Sequence, residues 1–286
     1  MSRCVGVVSP LTTTALRAAD GATAEVHLNG AHVTSWRPAP GNEERLFLSK
    51  YSSFEEGATI RGGIPVIFPQ FAAEGPLPRH GFARSSRWTL DDEMCGPNGD
   101  ASASFVLMDS PATRAIWPAS FRATLTVRVG GLQLATTLAI ENTGSATFRF
   151  AAALHTYLRV HDVRNAEIVG LRGCRYRESS APGEYTVDDR DALRVEGAMD
   201  RVYVNAPSRL ALREPPRELA LETTNFPDVV VWNPGAEKAA ELGDMEPGGE
   251  RWMLCIEAAA VQTPVALEPG RQWSGTQTLI ARTRTE

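Results

Sequence analysis

Apolar and polar residues change places with a period of two along much of this chain. Ala24-Glu25-Val26-His27-Leu28 alternates, and Asn29-Gly30 then supplies a hairpin turn. The same alternation runs from Thr124 to Val129, turns at Gly130-Gly131, and returns through Leu132-Gln133-Leu134. Thr136 to Ile140 continues that return strand until Asn142-Thr143-Gly144 breaks it. Val229 to Trp232 and Met253 to Ile256 are apolar runs of buried-strand length. Helical periodicity is scarce; Ala236 to Leu242 suits about two turns, ending at Gly243. The 24 glycines and 19 prolines punctuate the whole chain, without a repeat or a low-complexity linker. The pattern predicts an all-β sandwich or barrel built as one domain, residues 1–286. The polar stretch from Glu178 to Asp191 reads as a surface loop within it.

Composition narrows the function. With 43% hydrophobic and 22% charged residues the chain is an ordinary folded mix, and it has no run of about 18 apolar residues that could span a membrane. A net charge of −5 argues against a nucleic-acid partner held by a general basic field. The first ten residues lack the apolar stretch of a signal peptide, so the expected address is the cytoplasm. Cys4, Cys95, Cys174 and Cys255 are scattered without a CxxC pair, and predict neither a disulfide framework nor a zinc site. Phosphate-loop, dinucleotide, zinc-protease and serine-hydrolase motifs are absent.

Three stretches could carry chemistry. From Thr59 to Trp88 the chain is dense in proline and glycine, a rigid irregular loop presenting Arg61, Arg79, His80 and Arg84. Guanidinium forks match phosphate oxygens, although pairing with Glu55, Glu56 or Glu74 would explain the same arginines as surface ion pairs. In Ala153 to His161, read as a strand, His155, Tyr157, Arg159 and His161 share a polar face. Two histidines without a third ligand are weak evidence for a metal. Glu257 ends the apolar run Met253 to Ile256, and partial desolvation there would raise its pKa toward the range of a general base. Asp200, beside Arg201, is ambiguous by itself.

Read in order, these segments resemble the glucose-6-phosphate 1-epimerases, the hexose-6-phosphate mutarotases of the aldose 1-epimerase superfamily. The resemblance rests on Arg61-Gly62-Gly63-Ile64-Pro65, Phe68-Pro69-Gln70-Phe71 and Leu77-Pro78-Arg79-His80-Gly81-Phe82-Ala83-Arg84. It continues through Ala153-Leu154-His155-Thr156-Tyr157, Asp200-Arg201-Val202-Tyr203 and Val230-Val231-Trp232-Asn233-Pro234, and closes with Cys255-Ile256-Glu257-Ala258-Ala259 and the segment from Leu267 to Trp273. It implies a large antiparallel β-supersandwich that interconverts the α and β anomers of a hexose 6-phosphate without a cofactor or metal. By that resemblance His155 is the general acid, Glu257 the general base and His80 a second active-site histidine. Arg61, Arg84 and Asp200 match substrate-binding positions. Arg79 stands where the family usually has glutamine, and as an added cation would contact the phosphate or point outward. The resemblance implies a monomer whose partner is its hexose 6-phosphate substrate. A mutarotase for unphosphorylated aldoses and a non-catalytic sugar-phosphate binding protein are the alternatives.

Overall fold

The alternating segments become strands of three antiparallel sheets. The computed structural model describes Val7–Val8, residues 12–181 and residues 183–283; Cys4 and most of the N-terminal segment searched for a signal peptide lie outside them. A small sheet joins Val7–Val8, Thr13–Arg17, Thr23–His27 and His32–Arg37. A nine-stranded sheet is built around Phe121–Gly130, Gln133–Asn142 and Gln272–Thr283. An eight-stranded sheet carries Met199–Val204, Asp228–Asn233, Met253–Leu267 and Phe148–Leu154 as central neighbours. Both glycine turns fall where the sequence places them, between Thr23–His27 and His32–Arg37 and between Phe121–Gly130 and Gln133–Asn142. The expected helix is present as Gly235–Glu241. A second short helix, Pro111–Ile116, starts at a capping box in which Ser110 and Thr113 satisfy each other's backbone N–H groups.

Side-chain parity positions the site. Successive residues of a strand point to opposite faces, so Leu254, Ile256, Ala258 and Ala260 enter the main hydrophobic core. That core also takes Leu125, Val127, Leu138, Leu221 and Leu279 from the nine-stranded sheet, so the two large sheets pack face to face. Met253, Cys255, Glu257, Ala259 and Val261 consequently face the other way. Neighbouring strands obey the same parity: Val229, Val231, Met199 and Tyr203 join the main core, while Val230 and Val202 form a separate buried cluster and Trp232 and Asp200 lie on that same outer face. Register then aligns one outward row, Tyr157, Cys255, Trp232 and Asp200, across four strands. Glu257 lies one step along, opposite Val230.

Two local expectations change. The apolar run does not end at Glu257 but continues through Ala258 to Val261, so this carboxylate is a mid-strand residue only 1% exposed. The segment from Ala153 to His161 is not one strand, because His155 and Thr156 lie between Phe148–Leu154 and Tyr157–Arg159. Cys174 and Cys255 are free thiols, whereas Cys95 is disulfide-bonded. Scattered spacing gave no sign of that bond, since pairing depends on distance in the fold. Among the described residues no helix is long and apolar enough to cross a membrane.

Candidate active site

The loop from Arg61 to Arg84 is held rigid from within. Phe68 anchors it, packing edge-to-face on Phe121 and Phe150 at 5.2 and 5.4 Å between ring centres. The carbonyl of Phe68 accepts hydrogen bonds from the N–H groups of Phe82 and Ala83. This approach requires Gly81, whose φ is +68° and where a Cβ would come within 2.2 Å of the Phe68 oxygen. The buried Gln70 amide clamps the loop by donating to the Leu77 carbonyl and accepting from the Leu77 N–H, both at 2.9 Å. His80 sits in the left-handed region, φ +66°, which few non-glycine residues adopt. Two bonds to Ala72 hold it there: its N–H donates to the Ala72 carbonyl, and its Nδ1 accepts from the Ala72 N–H at 3.2 Å. Burial, reinforced by Arg84, Arg79 and Arg61, lowers the His80 pKa to about 3. The neutral ring therefore carries its proton on Nε2.

All the site residues anticipated from the sequence converge on one cleft of about 720 Å³: Arg61, Arg79, His80, Arg84, His155, Asp200 and Glu257 line it. Glu74, Ser179, Trp232 and Lys238 are among its other lining residues. Arg159 and His161 do not belong to it. Both are exposed, and His161 lies 3.3 Å from Glu214 and 3.6 Å from Glu43. The arginines are not surface ion pairs of the expected kind. Glu74 is taken by Arg177, and among the described residues Arg79 and Arg84 have no carboxylate partner. Arg61 is forked instead onto Asp244, Nε to Oδ1 and Nη2 to Oδ2, each at 3.1 Å. Its Nη1 donates to the Tyr157 hydroxyl at 3.0 Å. This geometry occupies three of the five guanidinium N–H groups and leaves two for a ligand.

His155 and Glu257 meet at the cleft floor, Nδ1 to Oε1 at 3.3 Å. Among the described residues, neither His155 Nδ1 nor Glu257 Oε2 has a hydrogen-bond partner. The Tyr157 ring stacks on His155 at 4.8 Å, and Trp232 meets it edge-on at 5.8 Å. Burial pushes the His155 pKa well below its ordinary value, helped by His80, Arg84 and Arg61. Burial also lifts Glu257 well above the usual carboxylate range, with Asp200 adding to the rise and Arg84 opposing it. Both shifts favour the uncharged forms, a neutral imidazole beside a protonated carboxyl. Asp200 accepts a 2.6 Å bond from the Ser179 hydroxyl on Oδ1 and lines the cleft.

Sequence reasoning overlooked Asp244, Ser179 and Gln277. Gln277 reaches across from the nine-stranded sheet, its Oε1 accepting from the Thr156 hydroxyl and its Nε2 donating to the Ile256 carbonyl at 3.2 Å. One amide so ties the residue after His155 to the residue before Glu257. Its signal was in the pattern: Gln277 has the same parity as Leu279 and Ala281, which are core. Asp244 and Ser179 sit in loops of unremarkable composition, and nothing local marks them.

Comparison with known proteins gives the family and the fold. The profile of the family described as aldose 1-epimerase matches residues 13–279. A Cenchrus ciliaris protein named "Putative glucose-6-phosphate 1-epimerase" is 36% identical over 282 residues, covering 96% of this chain and 85% of its own. An Escherichia coli K12 protein of the same name is 35% identical over 236 residues, covering 81% of this chain and 78% of its own. A crystal structure from Salmonella typhimurium, described as "a putative mutarotase", superposes with a TM-score of 0.86 at 28% identity, covering 98% of this chain and 97% of its own. A galactose mutarotase-like protein from Clostridium acetobutylicum, 16% identical, shares the fold with a TM-score of 0.74 over 95% of each chain.

Proposed function

Because the chain belongs to the aldose 1-epimerase family, an anomer-interconverting enzyme, we propose that its substrate is a hexose 6-phosphate, glucose 6-phosphate first among them. The observation that carries this reading is the set of Arg61, Arg79 and Arg84 on the rim of a cleft whose floor holds His155 and Glu257. Among the described residues Arg79 and Arg84 have no carboxylate partner, Arg61 keeps N–H groups beyond its fork to Asp244, and Lys238 adds a cation from the facing helix, a set that suits a phosphate dianion.

The reaction asks for one proton to be given and one removed at the same carbon. His155 gives its proton to the ring oxygen while Glu257 takes the proton of the anomeric hydroxyl, and the bond from C1 to the ring oxygen breaks. The open aldehyde rotates about C1–C2. Ring closure then reverses both transfers, so acid and base end as they began. His80 donates from Nε2 to a sugar oxygen, and Asp200 accepts from a sugar hydroxyl. The stacked Tyr157 and the edge of Trp232 hold the imidazole plane.

The phosphate has a second task in this reading. Burial chiefly keeps the proton off His155, His80 opposes it too, and Arg84 and Arg61 add a repulsion of their own. A dianion bound between them cancels that repulsion and favours the imidazolium–carboxylate form that the reaction uses. Magnetisation exchange between α and β anomeric protons tests the proposal. Glucose 6-phosphate should exchange faster with the protein present, glucose should not, and added phosphite dianion should restore part of the glucose rate. Equal acceleration of both sugars, unchanged by Arg61→Ala with Arg84→Ala, would move the protein to unphosphorylated aldoses. Binding without acceleration would leave a sugar-phosphate binding protein.

A further inference from the structure

We infer that His155, Cys255 and Glu257 form a binding site for a thiophilic divalent cation of the zinc type, which competes with the sugar. Cys255 and Glu257 are two apart on one strand and so share its outward face, and His155 enters from the break beside Tyr157. All three side chains are buried, and their donor atoms lie within 4.8 Å of one another. A tetrahedral zinc ion holds its donors roughly 3.5 Å apart. His155 Nδ1 and Glu257 Oε1 already stand at 3.3 Å, so only the thiol must close in.

Availability is the second argument. Among the described residues His155 Nδ1 and Glu257 Oε2 have no hydrogen-bond partner, though both are buried, so a cation would satisfy groups that are otherwise unpaired. An imidazole, a thiolate and a carboxylate make the mixed donor set that zinc accepts, and two of the three, His155 and Glu257, line the cleft. On binding, the S–H bond of Cys255 breaks, its proton leaves to solvent and a metal–sulfur bond forms, with no change of oxidation state. The thiolate and carboxylate charges offset the repulsion a dication meets from Arg61 and Arg84. A cation seated there occupies both the acid and the base, so it inhibits turnover. That consequence rests on the reaction proposed above; the binding does not.

The test uses the full chain in a Cys174→Ala background, which removes the other thiol that is free among the described residues. Titration with Zn²⁺ should show one equivalent bound, and Cd²⁺ should develop the ultraviolet charge-transfer band of a cadmium–thiolate bond. Cys255→Ala and Cys255→Ser should each weaken Zn²⁺ binding about tenfold or more and abolish the band. Basal anomer exchange should survive in whichever variant keeps the parent's melting temperature, but lose its Zn²⁺ inhibition. No stoichiometric binding to the parent, or equal Zn²⁺ affinity in the serine variant, overturns the inference. The band requires no turnover, so it stands even if glucose 6-phosphate proves not to be the substrate.

Discussion

At the scale of single residues, the site separates chemistry from placement. His155→Ala and Glu257→Gln should each slow anomer exchange by about 10²- to 10⁴-fold, the usual range for a lost general acid or base. In Glu257→Gln the melting temperature should stay near the parent's, because the side chain keeps its shape and its Oε2 has no hydrogen-bond partner among the described residues. Loss of the fold in both variants would show instead that the pair is structural. Asp244 plays a different part, since it aims Arg61 through the two-point fork. Asp244→Asn keeps the shape but weakens that fork, and should raise KM for glucose 6-phosphate roughly tenfold, about 1.4 kcal/mol, with little change in kcat. A fall in kcat at constant KM would sink that assignment. The fork was not legible in the sequence because Arg61 and Asp244 are 183 positions apart. The arginines themselves were legible as a cluster, but their owner was not: Glu74, offered as a partner, belongs to Arg177.

At the scale of elements, alternation announced the strands and glycine pairs announced the turns, because both rest on local backbone geometry. Alternation also decided which side of a strand each residue takes, yet it could not say which sheet lies beyond. Glu257 illustrates the gap. The sequence placed it at the end of an apolar run, while the fold buries it mid-strand among Ala258 to Val261 on a surface that a cleft, not solvent, covers. The His155 segment shows the converse, since unbroken alternation concealed the irregular backbone at residues 155 and 156. Gln277 spans the two large sheets and holds both flanks of the acid–base pair. Gln277→Leu leaves the Ile256 carbonyl without its side-chain donor, which should cost about 1–3 kcal/mol in urea unfolding. It should also lower kcat, because the pair loses its common brace. A variant that is less stable but turns over at the parent's rate would show that the brace serves the fold alone.

For the whole molecule, acid should be the sensitive side. His32 is fully buried, its Nε2 bonds the Gly62 carbonyl at 2.7 Å, and burial lowers its pKa from 6.5 to about 4. His80 falls to about 3 and His155 also falls, burial leading in each case. For such groups the unfolded chain takes up protons first. Their contribution is therefore intact above pH 6.5 and is lost as pH drops toward 4, His32 alone accounting for on the order of 3 kcal/mol. Glu257 opposes this in part, since its raised pKa favours the folded state as acid is added. Unfolding midpoints that hold steady from pH 7 to about pH 4.5 would contradict the balance drawn from these three histidines. A further consequence follows from the strand Met253–Leu267, which feeds the main core with one set of residues and, from the set between them, gives Glu257 to the cleft. Catalysis and cohesion are threaded on one ribbon in opposite phase. Deleting a single residue ahead of Cys255 would turn the carboxylate inward and an alanine outward, so length along that ribbon is under tighter constraint than the identity of most residues on it.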